Sequence, residues 1–130
     1  KEFPTLRFQM GHLGGMFFAM KDRFVGGRAL LPQADISGYL ERVFYDTASP
    51  LWNPRDIEYA IENLGIDQVC FGSDYPVRDF WLKRAREIVD GARLSIEDRT
   101  KLMGGNALRL YPRLAKALDG SGQSQQQGAL

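Results

Sequence analysis

The sequence predicts an α/β fold built on parallel strands, and three observations carry that reading. Short apolar runs alternate with stretches of helical periodicity in the order strand, helix, strand, helix, strand, helix, an order that needs helical crossovers between parallel strands. Each run ends on a polar residue where a loop begins: His12 after residues 6–11, Asp46 after 43–45 and Asp74 after 69–73. These ends stand 34 and 28 residues apart, against about 31 for one unit of a (β/α)8 barrel. A doubly wound sheet uses similar spacing, so periodicity leaves the two architectures open.

Residues 6–11, lying between Pro4 and a glycine-rich turn, read as the first strand, and residues 15–24 as the helix after it. Residues 25–32 form a Gly-containing loop, and 36–42 a short helix that feeds a second strand at 43–45, ending at Asp46. Asn53-Pro54 supplies an N-cap and a first-turn proline for a helix with Ile57, Ala60, Ile61 and Leu64 on one face and Gly65 as its stop. Residues 68–72 are the third strand, and 80–89, ended by Gly91, the helix after it. Ser95 with Asp98 three residues on resembles a capping box, opening a helix that breaks near Gly104-Gly105 and resumes from Asn106 to about residue 118. Met10, Met16, Met20 and Phe17 read as core packing. The stretch 119–130 is Gly, Ser and Gln with almost no apolar content and reads as a disordered tail, leaving 1–118 as the folded part.

With 130 residues, 44% hydrophobic and 25% charged, the chain has the composition of an ordinary globular domain, which by itself selects no function. Its 17 basic and 16 acidic residues are intermixed, so no basic stripe offers itself to nucleic acid or to an anionic membrane. No run approaches the ~18 consecutive apolar residues of a membrane span, and the first residues carry no signal-peptide pattern. The single cysteine, Cys70, cannot form an internal disulfide and reads as a buried, inert thiol, which fits a cytoplasmic location. The chain begins at Lys1 and is heading into a strand by Leu6, which suggests a piece of something longer.

The candidate chemistry lies at the strand ends. The His12 imidazole can serve as a general acid or base or as a metal ligand; the plainer alternative is a ring that bonds loop backbone. Gly11, Gly14 and Gly15 around it let backbone approach a ligand. Asp74 follows mainly apolar residues, where a carboxylate is costly to bury unless paired or bound to a metal; the alternative is a cap or turn residue ahead of Pro76. Asp46 has the same position on the middle strand, as a site residue or a turn residue. The Gly11–Gly15 loop matches neither the dinucleotide nor the Walker phosphate pattern. Arg78 and Trp81 stand where they could meet an anionic or aromatic substrate, or could be an exposed arginine and a packed tryptophan.

Four ordered motifs together resemble a known family: Phe3-Pro4 with Met10-Gly11-His12-Leu13-Gly14-Gly15, then Phe44-Tyr45-Asp46-Thr47-Ala48, then Phe71-Gly72-Ser73-Asp74-Tyr75-Pro76, and finally Gly104-Gly105-Asn106-Ala107-Leu108-Arg109-Leu110-Tyr111. They look like the carboxyl-terminal part of the amidohydrolase-2 group of the metal-dependent amidohydrolase superfamily, which includes aminocarboxymuconate-semialdehyde and resorcylate-type decarboxylases. The resemblance covers residues 3 to 112. It implies a (β/α)8 TIM barrel, of which this chain supplies about the last three βα units plus the terminal helices. It also implies a divalent metal, commonly zinc, at the carboxyl ends of the strands. Asp74 would be the aspartate ligand from the last strand. His12 would be the histidine beside the metal that handles protons or polarises bound water, so both are candidate catalytic and metal-site residues. Asn106 would be structural, satisfying backbone groups near the barrel end.

The family's early His-x-His pair has no counterpart, because His12 is the only histidine. One histidine and one carboxylate do not complete a usual zinc site of three or more protein ligands. The expectation is therefore a partial chain of a hydrolase or decarboxylase acting on a small carboxylated or cyclic substrate, inactive by itself and associating with a second copy or with the missing part of its barrel. The alternative is a noncatalytic α/β fragment serving in assembly or binding.

Overall fold

A computed structural model describes residues 3, 5–15, 17–26, 38, 40–48, 52–77 and 80–126, with side chains from 24–26 and from 120 onward left aside. Three parallel strands, β1 (Phe8–Met10), β2 (Val43–Asp46) and β3 (Val69–Cys70), form a sheet in the order β1-β2-β3. Phe8 lies opposite Val43 and Met10 opposite Tyr45; Tyr45 then lies opposite Val69, and Asp46 opposite Cys70. The strands are shorter than the sequence predicts. β3 stops at Cys70 because the Phe71 amide turns away to donate to the Leu102 carbonyl at 2.8 Å.

The helices are α1 (Phe17–Gly26), α2 (Pro54–Leu64), α3 (Trp81–Gly91), α4 (Ile96–Thr100), α5 (Asn106–Leu110) and α6 (Pro112–Gln126). α1 starts later than expected because His12–Gly15 is taken up by a separate left-handed turn. The expected helix at 36–42 and most of the loop at 25–32 lie outside the described residues, apart from helical Gly38 and Leu40 and the turn at 41 and 42. α2 has the predicted start: the Asn53 side chain accepts from the Arg55 and Asp56 amides, and Asp56 returns a bond to the Asn53 amide. This reciprocal cap satisfies amides that the first turn otherwise leaves without partners. Ser95 caps α4 through the Asp98 amide.

Gly104-Gly105 does not break the chain as predicted. Residues Lys101–Gly105 widen into a π-turn that runs directly into α5. The wider turn sends the Asn106 amide to the Lys101 carbonyl, and the Leu102 carbonyl is the one that Phe71 uses. The break comes instead at Tyr111, ahead of Pro112, where a following proline disfavours helical backbone. α6 then runs to Gln126, past residue 118; Ala115, Lys116, Ala117 and Leu118 favour helix strongly enough to propagate it into the glutamine-rich end.

Strand alternation gives the sheet two different faces. Val43, Tyr45 and Val69 point toward the helices, where they join Leu13, Phe18, Ile57, Ala60, Leu64, Ile88, Val89 and Leu102 in one core. Phe17 stacks on Tyr45 with ring centroids 5.9 Å apart. Phe44, Asp46 and Cys70 share the other face, where the Arg109 guanidinium lies 5.7 Å from the Phe44 ring. Met10 and Met20 are not core residues, at 43% and 48% exposed. Met10 lies on the sheet's outer strand, which has a neighbour on one side only among the described residues, and Met20 is on the outward side of α1. Met16 lies outside the described residues. No helix among them is long and apolar enough to cross a membrane.

Candidate active site

The parallel sheet brings the carboxyl ends of β1, β2 and β3 to one edge, and with them His12, Asp46 and Asp74. In the sheet β2 lies between β1 and β3, so the strand end that carries Asp46 stands between those that lead to His12 and to Asp74.

Both outer residues stand on left-handed backbone. His12, Leu13, Gly14 and Gly15 have φ of 53°, 51°, 69° and 60°, a full turn of the disfavoured hand, and Asp74 has φ of 60°. Each non-glycine residue there costs about 1–2 kcal/mol, so the turn persists only because its surroundings fix it. Gly14 has a second reason to be glycine: a Cβ would come within 3.0 Å of the Tyr45 ring and 3.1 Å of Phe17 Cβ. Leu13 anchors the turn, fully buried in the core. The His12 ring is exposed, and among the described residues it makes no hydrogen bond.

Asp74 lies in a turn ahead of Pro76. Its carbonyl accepts from the Val77 amide at 3.1 Å, closing a turn that contains a cis Tyr75-Pro76 bond. The side chain takes no part in that turn. It is half-buried and without a hydrogen-bond partner among the described residues, which leaves its oxygens available to a ligand. The Tyr75 amide donates to Ser73 Oγ at 3.3 Å and helps fix the loop.

Asp46 behaves differently. It is 9% exposed, and its carboxylate is fully engaged: Oδ2 accepts from Gln9 Nε2 at 2.7 Å, and Oδ1 from the His12 amide at 3.2 Å and the Ala48 amide at 3.0 Å. Beyond it, Gln9 Oε1 accepts from the Tyr111 hydroxyl. Gly72 passes so close that a Cβ there would meet Asp46 Cβ and Cγ at 3.2 Å. The Thr47 hydroxyl ties the same two strand ends, donating to the Gly72 carbonyl and accepting from its amide. Gln9 and Tyr111 escape sequence reasoning almost entirely; a lone amide within an apolar strand was the one available signal.

Cys70, beneath Asp46, is buried, and loss of hydration pushes its thiol up to about 11, with the Asp46 charge adding and Arg109 opposing. It is an inert packing residue. Asn106 is 2% exposed and donates through Nδ2 to the Ile66 and Val69 carbonyls at 2.6 and 2.8 Å, which joins α5 to the start of β3. Trp81 is half-buried at the start of α3, and Arg78 lies outside the described residues. Among the described residues no three His, Cys, Asp or Glu side chains gather closely enough to hold a metal ion.

The profile of the family described as Amidohydrolase matches residues 1–113. Among curated proteins, the chain is 27% identical to a 2-keto-4-carboxy-3-hexenedioate hydratase from Sphingobium sp., over 93% of this chain and 38% of that protein. It is 26% identical to a gamma-resorcylate decarboxylase from Polaromonas sp., over 85% of this chain and 35% of the relative. The chain thus spans little more than a third of the curated relatives it matches. Among solved structures, 4-oxalomesaconate hydratase from Rhodopseudomonas palustris superposes with a TM-score of 0.80 at 25% identity, covering 95% of this chain and 40% of that one. A dihydroxybenzoic acid decarboxylase from Polaromonas sp., solved with bound manganese, shares the fold at a TM-score of 0.70 and 22% identity, over 85% and 35% of the two chains. The three parallel strands and their helices are accordingly a segment of a (β/α)8 barrel, and the chain belongs to the amidohydrolase family.

Proposed function

We propose that the intact protein is a metal-dependent decarboxylase or hydratase that acts on a small carboxylated substrate, with His12 moving a proton and Asp74 holding the metal. The observation that carries the reading is the placement of two side chains without a hydrogen-bond partner among the described residues, the His12 imidazole and the Asp74 carboxylate, at the carboxyl edge of a sheet in a chain whose family match spans residues 1–113. Active sites of (β/α)8 barrels lie at that edge. Hydrolysis, the other reaction expected from the sequence, is less favoured because the relatives are named as a hydratase and a decarboxylase. A noncatalytic role in assembly is not favoured for the same reason.

Decarboxylation and hydration need the same proton delivery. When a carboxylate leaves as carbon dioxide, its bonding electron pair remains on carbon, which must take a proton. When water adds across a carbon-carbon double bond, one carbon takes the oxygen and its neighbour takes the proton. An imidazole suits that transfer, and the exposed ring of His12 can hold the proton at a ring nitrogen. A divalent metal, when bound, would supply positive charge that orients and polarises a substrate carboxylate or carbonyl. The Asp74 carboxylate is a hard donor that fits such an ion, with further ligands coming from elsewhere in the intact protein.

The test is a direct assay of the intact protein, with carbon dioxide release from ortho-hydroxybenzoates in one arm and loss of conjugated absorbance from unsaturated dicarboxylates in the other. His12→Ala should lower turnover by about 10²–10⁴-fold. Turnover of neither substrate class by wild type would remove the functional reading, and near-normal turnover of the variant would remove His12 from the proton path.

A further inference from the structure

We propose that Asp46 is the positioning residue of this site: its carboxylate holds the His12–Gly15 turn in its left-handed form and so sets where the His12 ring stands. The activity arm of the test rests on the function proposed above; the backbone arm does not.

His12 and Leu13 occupy a region that non-glycine residues avoid, at φ of 53° and 51°, and something must fix them there. The buried Leu13 side chain does so from below. On the other side, the one side chain among the described residues that bonds the His12 amide is Asp46, through Oδ1 at 3.2 Å. The same oxygen accepts from the Ala48 amide at 3.0 Å, which anchors the carboxylate to its own strand end. Its partner oxygen is held by Gln9 at 2.7 Å, and Gln9 in turn by the Tyr111 hydroxyl. A chain of hydrogen bonds therefore runs from the α5–α6 junction through β1 to the centre of the sheet and out to the His12 backbone. With these three donors satisfied, Asp46 acts through His12 rather than on substrate.

The geometry distinguishes shape from charge. Asparagine at 46 retains Oδ1 for both amides, and its Nδ2 can donate to Gln9 Oε1 if the Gln9 amide flips; Gln9 Nε2 then donates to the Tyr111 oxygen, which accepts as readily as it donates. Leucine fills the same volume and leaves the His12 and Ala48 amides without an acceptor, a loss that a buried donor pays in full.

The experiment compares wild type, Asp46→Asn, Asp46→Leu and Gln9→Met in the intact, metal-loaded protein, by peptide-resolved hydrogen exchange and by steady-state kinetics. Asp46→Leu should speed exchange in the peptide spanning residues 8–15 by 10-fold or more while leaving residues 54–64 as protected as in wild type. It should also lower kcat about 100-fold with KM changed less than threefold. Asp46→Asn should restore protection and keep kcat within about threefold, and Gln9→Met should fall between. Equal losses in the asparagine and leucine variants would mean that the charge matters, and unchanged protection at 8–15 in Asp46→Leu would mean that the turn stands without it; either overturns the proposal. If Asp46→Leu fails to fold, Asp46→Asn and Gln9→Met decide, and a Gln9→Met protein with wild-type exchange and kcat counts against it. Absence of both activities in wild type removes the functional reading alone, because the exchange measurements still decide the role of Asp46.

Discussion

The helix-covered face of the sheet and the carboxyl edge above it are held together by different physics. On the covered face, Tyr45, Val69, Ile57, Leu64 and Val89 are at most 4% exposed and are satisfied by packing alone; each large side chain buried there contributes about 1.5–3 kcal/mol. At the edge, order comes from strained turns, from one shared carboxylate at Asp46 and from a glycine pressed against it. Packing tolerates substitution by similar volume, whereas the edge depends on particular atoms. Changes at the edge should therefore alter metal and turnover more than stability, and changes on the face the reverse.

The strongest probe of that contrast is Asp74→Ala in the intact protein. With Asp74 proposed as a metal ligand, its removal should lower bound metal from stoichiometric to a small fraction and turnover by about 10³-fold or more, with the melting temperature of the metal-free protein nearly unchanged. Metal analysis on wild type and variant side by side checks it, and unchanged metal content would remove Asp74 from the ligand set. On the covered face the counterpart is Ile57→Ala, where the side chain is 1% exposed. Loss of a buried isoleucine costs about 2–5 kcal/mol, read as a lower denaturation midpoint with bound metal per folded molecule unchanged.

Gly72 joins the two regions. An added methyl would sit 3.2 Å from Asp46 Cβ and Cγ and from the Ala48 amide, atoms fixed by the strand and unable to give way cheaply. Gly72→Ala should cost about 1–3 kcal/mol and also disturb the Asp46 bonds, so this variant should lose stability and turnover together. A variant that loses stability with undisturbed turnover would separate Gly72 from the site.

How much of this was legible in the sequence follows the same division. Apolar periodicity and capping located α2 to the residue, because Asn53, Pro54 and Gly65 act within a few positions of one another. The order of strands and the polar residues at their ends were legible too, since alternation and spacing are local. The left-handed turn at His12 was not, because its cause lies 34 residues away in Asp46. The path of the chain through Gly104-Gly105 was hidden similarly: glycine there reads as a break, and only the demand of Phe71 for the Leu102 carbonyl explains a π-turn in its place. Met10 reads as core by composition, and its exposure reflects a strand whose outer neighbour is supplied from outside the described residues.

A smaller effect is expected from pH. Burial pushes the Cys70 thiol from 9.0 up to about 11. Below pH 9 the thiol is neutral in both folded and unfolded chains and pH has no influence through it. Between pH 9 and 11 the unfolded chain ionises while the folded one does not, so stability is lost as pH rises across that window. Tyr45, pushed up to about 12 by burial, acts in the same direction from pH 10 upward. Denaturation midpoints from pH 8 to 11 should fall more steeply in wild type than in Cys70→Ala, and equal slopes would mean that Cys70 is not the buried thiol described.

The smallest effect is expected at the far end of α6. We propose that residues 119–130 lie outside the folded part: they carry two glycines early in the stretch, each about 1 kcal/mol less favourable in a helix than alanine, and almost no apolar side chain to dock. Helical backbone through Gln126 does not by itself hold a segment against the core, since an isolated helix of this length is marginal in water without a packed face. Ending the intact protein after Leu118 should therefore shift stability by less than about 0.5 kcal/mol, the range of changes remote from packing, and leave metal content and turnover untouched. A larger loss would show that this end packs on a part of the barrel beyond the three strands described, and would move the boundary of the folded part from 118 to beyond 126.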